Sequence, residues 1–136
     1  MKTDKINEIK MSFIIFSVEK GHKTLADEIN NKSAIQVLES KGISFKQVIG
    51  CWRGSTEKSF LVSDKYIDFC TRLAANYGQE ALLRVDKYRN GEVISISDGE
   101  VLCSGKFKQS SNIEGYLFWT IDPDTGKSWV CEGCRL

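Results

Sequence analysis

Residues 81–108 read ALLRVDKYRNGEVISISDGEVLCSGKFK, and their reading decides the fold. Apolar runs alternate here with Asn90-Gly91 and Asp98-Gly99. Both pairs are strong hairpin signals, because Asn, Asp and Gly tolerate the left-handed backbone of a tight turn. The spacing predicts antiparallel strands over 81–88, 93–97 and 101–108. Toward the C-terminus, 116–121, the turn DPDTG and 127–131 add two more. The second half of the chain therefore reads as a five-strand meander.

The first half is mixed. Residues 12–18, SFIIFSV, are β-branched or aromatic and read as a central strand, apolar on both sides. Thr24 can cap a helix whose first turn carries Asp27 and Glu28, near the positive end of the helix dipole. Leu25, Ile29, Ala34, Val37 and Leu38 then recur at helical spacing, and Gly42 stops the helix, predicted over 25–40. Residues 44–50 and 57–63 read as strands. Asp64 can cap a second helix with Ile67, Cys70, Leu73, Ala74 and Tyr77 on one face and Gly78 as its stop. The order β-α-β-β-α followed by a meander is an α+β pattern. It predicts two helices packed on one face of a mostly antiparallel, strongly twisted sheet. Eight twisted strands can curl toward a half-barrel.

A chain of 136 residues suits a single domain over 1–136, with 1–10 as a flexible N-terminal segment. Apolar residues at 41% and charged residues at 27% suit a packed core rather than disorder. The net charge of +1 offers no overall basic excess, so nucleic acid is not the expected partner. No apolar run reaches membrane-spanning length, and the short run from Met11 to Phe16 follows Asp4 and Glu8, unlike a signal peptide. The expectation is a cytoplasmic protein with no membrane partner. Five cysteines without a secretion signal then read as free thiols.

Cys131 and Cys134 form a C-x-x-C pair, a spacing that zinc accepts. Zinc needs four ligands, and only Cys103 and His22 are available to complete the set. Two reduced thiols on a terminal strand are the simpler reading, so no metal and no cofactor is assigned. His22, the only histidine, sits in the loop after the first strand, where a Ser-His or Cys-His pair would have to use it. None of the common hydrolase, P-loop, zincin or dinucleotide-binding motifs occurs. Tyr116, Phe118, Trp119 and Trp129 are either core or a stacking platform for bases.

The stretch CWRGSTEKSFLV, residues 51–62, gathers Trp, Arg, Glu and hydroxyl groups in front of an apolar run. Asn31, Leu38 and Gly42 follow the spacing N-x6-L-x3-G. Trp52 to Val62 follow W-x-G-x-x-E-x-S-F-L-V, and Tyr77 to Gln79 read Y-G-Q. Over residues 12–85 these motifs resemble a small family of uncharacterised bacterial and phage proteins, a domain of unknown function. The resemblance implies that Asn31, Glu57, Ser59 and Gln79 recur as a set. Glu57 and Ser59, two apart on a strand, share one face. A carboxyl in apolar surroundings must be paired, hydrogen-bonded or protonated. The set is thus either a ligand site, with Trp52 and Arg53 at its rim, or a network that locks helix, strand and turn together.

Three functions are compatible with these residues. The resemblance suggests first a non-enzymatic binding protein, phage-encoded, that inhibits or sequesters a host defence protein or a small signalling ligand. The second is an enzyme acting on a nucleotide-like small substrate with Glu57 as general base. The third is an RNA- or single-strand-binding module using the aromatic C-terminal strands.

Overall fold

A computed structural model describes residues 5–21 and 23–136 of the chain. His22, the candidate base and zinc ligand, lies outside the described residues. After a 3-10 turn, Ile6–Glu8, come β1 (Phe13–Ser17), α1 (Leu25–Ser40), β2 (Phe45–Trp52) and β3 (Ser55–Ser63). A second 3-10 turn, Asp64–Tyr66, leads into α2 (Ile67–Asn76). Then follow β4 (Ala81–Val85), β5 (Asn90–Ser95), β6 (Val101–Gln109), β7 (Phe118–Ile121) and β8 (Ser128–Cys131). The architecture is α+β with antiparallel ladders. Among the described residues no helix is long and apolar enough to cross a membrane.

The sheet closes completely, in the order β1-β3-β2-β7-β8-β6-β5-β4. The first six elements, β1–α1–β2–β3–α2–β4, form a split βαβ unit of ferredoxin-like connectivity, with its strands ordered 4-1-3-2. Such a unit leaves β2 and β4 as edges. Strands β5 to β8 bridge those edges, so that among the described residues no strand is left with a free edge. The expected half-barrel is therefore a closed barrel. The expected meander is also interrupted: β6 pairs with β8, and β7 lies between β8 and β2.

One hairpin turn lies earlier than the sequence suggests. Asn90 and Gly91 belong to β5, with Gly91 opposite Val85. The turn is made by Asp86 to Arg89, with Arg89 at φ 66°. The Asp86 carboxylate organises it, accepting the backbone N–H groups of Tyr88 and Asn90, each at 2.9 Å. Gly91 serves close approach instead: a Cβ there would lie 3.3 Å from both Cys131 Sγ and the Gly105 carbonyl oxygen. Asp98-Gly99 is a turn as read, with Gly99 at φ 76° and its N–H bonded to Ser95 O at 2.8 Å.

Strand alternation makes two cores. Phe13 and Ile15 point into the barrel with Val48, Leu61, Leu83, Phe107 and Trp129. Ile14 and Phe16 point outward with Phe60 and Val62, where Ala34 and Leu38 of α1 and Cys70, Leu73 and Ala74 of α2 cover them. Helix α1 begins and ends as read: Thr24 Oγ1 accepts the Asp27 N–H, and Gly42 has φ 70°. Its buried stripe differs. Leu25 and Ile29 are exposed, and Asp27, Asn31, Ala34 and Leu38 face inward. Phe118 and Trp129 also face the barrel interior, with Trp129 stacked on Phe107 at 5.5 Å, so they form no surface platform for bases.

The N-terminal segment plugs one end of the barrel. Ile6 and Ile9 enter its core, and Arg89 Nη2 donates to both of their carbonyl oxygens at 2.8 Å. The Ile6 N–H donates to Asp122 Oδ2 at 2.9 Å, and Lys46 Nζ lies 3.0 Å from Asp122 Oδ1. Cys103 and Cys134 are joined by a disulfide, leaving Cys51, Cys70 and Cys131 free. That corrects the reading of five thiols and removes Cys134 from the C-x-x-C zinc candidate. Among the described residues no cluster of three or more His, Cys, Asp and Glu is placed to hold a metal.

Candidate active site

The other end of the barrel is open. Pairing puts Gly50 opposite Glu57, Trp52 opposite Ser55, and Ser17 opposite Ser59. All six are at inward positions, by the alternation that sends Ile15, Val48 and Leu61 into the core. They line a cavity of about 280 Å³ with Glu19 and Lys20 after β1, Gln79 and Glu80 before β4, and apolar walls from Ile15, Val93 and Phe118. Gly50 helps keep the space clear: a Cβ there would lie 2.8 Å from Ser59 Oγ.

Glu57 is the central group. Burial pushes its carboxyl up to about 7, and the negative charges of Glu19 and Asp27 push the same way. A hydrogen bond from Ser55 Oγ at 3.4 Å and the charge of Lys20 oppose the shift without cancelling it. Glu19 is only 8% exposed. Its own carboxyl is raised by burial, against the pull of the Lys58 N–H, which donates to it at 2.8 Å. Asp27, in the first turn of α1, accepts the backbone N–H groups of Lys20 at 2.8 Å and Lys23 at 3.1 Å. These bonds tie Lys20, which lines the cavity, and Lys23 to the first turn of α1. A second cavity, of about 320 Å³, adjoins the same acids and is lined also by Thr24, Ile49 and Lys58.

At the rim, Trp52 Nε1 donates to Glu80 Oε1 at 3.1 Å, and Arg53 Nη1 lies 2.7 Å from the same oxygen. The Arg53 guanidinium sits over the Trp52 ring, 4.8 Å from its centroid.

Of the residues singled out in the sequence, Trp52, Arg53, Glu57, Ser59 and Gln79 line this cavity. Their contacts are not those of a network around Glu57. Ser59 Oγ donates to the backbone oxygen of Glu57, and Gln79 Nε2 donates to the backbone oxygen of Glu19 at 2.5 Å. Asn31 is not among the lining residues. It is buried in α1, and its Oδ1 has no hydrogen-bond partner among the described residues. Sequence reading missed Glu19, Lys20, Gly50 and Glu80. Glu19 had a signal, since the inward positions 13, 15 and 17 continue to 19.

A half-buried acid with a raised pKa, in a small cavity with both polar and apolar walls, is the pattern of a small-molecule site. The comparison with known families is specific. The chain matches the S-adenosylmethionine lyase family over residues 14–132, and it belongs to that family. A search of curated proteins finds no match. The family is named for an activity, which replaces the expectation of a domain of unknown function. It also overturns the reading as a non-enzymatic binding protein that inhibits or sequesters a host factor, and it lends no support to a phage origin. The match extends through β8, well beyond the 12–85 stretch that carried the earlier resemblance.

Proposed function

We propose that this protein is an enzyme that cleaves S-adenosylmethionine, with Glu57 in the binding mouth. The family match over residues 14–132 supplies the substrate, and the observation that supports the reading is Glu57, inside the barrel mouth beside Glu19 with its carboxyl pushed up to about 7. The substrate carries a fixed positive charge on sulfur and a second on its ammonium group. A cation entering among these acids favours their ionised form, so Glu57 becomes a carboxylate as the substrate binds.

A lyase breaks the bond without water or a redox partner, so the electrons that expel the thioether come from the substrate itself. The α-carboxylate reaches the γ-carbon through a five-membered ring. An O–Cγ bond forms, the Cγ–S bond breaks, its electron pair stays on sulfur, and no proton is released. Negative and positive charge cancel along this path. A site that removes both from water and holds them in line favours the step, and Ile15, Val93 and Phe118 supply the apolar wall. A carboxylate near sulfur stabilises the bound cation more than the transition state, where that charge is fading. Glu57 therefore contributes to substrate capture.

The raised basicity of the Glu57 carboxylate also suits a general base, which would remove a β proton as the thioether leaves. The two routes give isomeric four-carbon products. With β-dideuterated substrate, ring closure retains both deuterons and elimination loses one.

The test is direct. Purified protein is incubated with S-adenosylmethionine, and substrate loss and methylthioadenosine formation are followed by mass spectrometry. Wild type converts the substrate, and Glu57→Gln lowers kcat/KM by roughly 10²-fold, near the low end of what removing one partner of a desolvated charge pair costs. Unchanged substrate in the presence of folded wild type sinks the reading.

A further inference from the structure

Arg53 and Gly54 are the two turn residues between β2 and β3, with φ of 50° and 84°. Two-residue turns of this kind favour Asn-Gly, and a non-glycine residue at positive φ other than Asn or Asp is uncommon. The backbone gains little from Arg53. What the conformation delivers is its side chain, over the Trp52 ring and against Glu80. Both partners of that ion pair are more than half exposed, at 55% and 56%, and exposed pairs contribute little to folding. Glu80 Oε1 accepts from the indole N–H as well. The Arg53 N–H is itself held by Leu117 O at 2.9 Å. The result is an indole fixed in plane at the mouth of the cavity that contains Glu57.

We infer that Trp52 is the stacking surface for the nucleobase of the substrate, and that Glu80 is a positioning residue that fixes the indole plane. This deepens the S-adenosylmethionine reading and rests on it. Aromatic rings bind bases by their π-face, and a ring held by two partners loses little freedom when a base stacks on it. Arg53 lies over the indole, which packs only in part against the barrel core and presents its remaining surface to the cavity. The substrate is then divided along the cavity, with the base at the rim and the sulfonium toward Glu57 and Glu19.

The experiment uses two fragments of the substrate as probes. Adenosine has the base without the sulfonium, and S-methylmethionine has the sulfonium without the base. Their affinities are measured by calorimetry for wild type and for Trp52→Ala, Trp52→Phe, Glu80→Gln and Arg53→Asn. Trp52→Ala weakens adenosine at least tenfold and leaves S-methylmethionine within twofold, which also shows that the variant is folded. Trp52→Phe keeps adenosine within about threefold, because a flat ring remains. Glu80→Gln raises KM for S-adenosylmethionine several-fold more than it changes kcat, a split that general loosening of the fold would not give. Arg53→Asn suits the turn and keeps the thermal midpoint while weakening adenosine.

Adenosine affinity unaffected by Trp52→Ala, or no adenosine binding to wild type, overturns the inference. The two readings separate cleanly. Adenosine binding through Trp52 without cleavage of S-adenosylmethionine leaves this inference standing and removes the proposed reaction. Cleavage with an unchanged KM in Trp52→Ala does the reverse.

Discussion

Each end of the barrel draws a carboxyl group out of water, one fully and one in part, and they treat it in opposite ways. At the plugged end Asp122 is fully buried, yet burial does not win. The Ile6 N–H, Lys46 and the Asp124 N–H all reach it, and its carboxyl stays below the ordinary aspartate range. At the open end burial, helped by the like charge of Glu19, outweighs the hydrogen bond from Ser55, and the Glu57 carboxyl rises to about 7. The first is a satisfied buried acid that closes the fold. The second is a half-buried acid in an open cavity whose charge Lys20 offsets only in part, so that a cationic ligand can supply the rest. Burial alone does not mark a functional acid; the balance of its partners does.

The largest expected effect comes from breaking the satisfied end. Lys46 is 2% exposed and contacts both Asp122 and Asp124. Burial works against its charge, but the hydrogen bonds to Asp124 and Asp122 outweigh it and raise its pKa. Lys46→Met leaves Asp122 charged and buried, and should lower stability in urea by about 3–5 kcal/mol. The pH signs follow from the two shifts. Asp122, lowered from 3.8, contributes stability that is complete above that value and is lost as pH falls through its native one. Lys46, raised from 10.5, contributes stability that is lost only as pH rises through its higher native value. This end should therefore be insensitive to pH between about 5 and 9.

The open end also has a covalent support. The Cys103–Cys134 disulfide anchors the C-terminal segment, where Cys134 O accepts the Leu117 N–H at 2.6 Å. Leu117 O in turn holds the Arg53 N–H. Cys103→Ser should cost about 2–4 kcal/mol, as for a bridge across a loop of about thirty residues. The cost should appear as a lower thermal midpoint in the absence of reductant. If wild type and Cys103→Ser melt together under those conditions, the bridge does not support this end.

Glu57→Gln sharpens the contrast, because its effect on stability has the opposite sign. A carboxyl raised from 4.5 to about 7 holds its proton more tightly in the folded state. Its favourable contribution is present below about 4.5 and is lost as pH rises through about 7. At pH 8 the ionised group is destabilising, so Glu57→Gln should gain about 1–3 kcal/mol there and almost nothing at pH 5. The same change lowers kcat/KM. In wild type kcat/KM should rise with pH through about 7, and that rise should vanish in the variant. A variant that loses stability at pH 8 would make Glu57 a structural group like Asp122, and the contrast between the two ends would collapse.

Much of this was legible from local chemistry. Thr24 and Gly42 bracket α1, and the two-sided apolar run of β1 marks a strand buried on both faces. Period-two alternation alone puts Glu57 and Ser59 on one face. Barrel closure was not legible, because it depends on the β1–β4 and β2–β7 ladders, which join residues about seventy positions apart. The Asn90-Gly91 pair misled because the Asp86 carboxylate captures the N–H groups of Tyr88 and Asn90 and turns the chain earlier. Glu80 carried no signal in isolation, since its role exists only once the turn at Arg53 brings Trp52 against it. Asn31 was drawn toward Glu57 by a resemblance in spacing, while the packing of α1 assigns it to the helix-facing side.

Asn31 provides the smallest test and the most discriminating one for the limits of the site. It is 7% exposed, and its side-chain oxygen has no hydrogen-bond partner among the described residues. Leucine has a similar volume and places no polar atom in that position. Where a buried acceptor is unsatisfied, such a replacement removes a desolvation cost rather than a bond. Asn31→Leu should therefore be neutral or stabilising by about 1 kcal/mol, and should leave KM for S-adenosylmethionine within twofold. A tenfold rise in KM at unchanged stability would extend the site through the sheet to α1. The open end would then include the helix, and the cavity between β1, β2 and β3 would be only part of it.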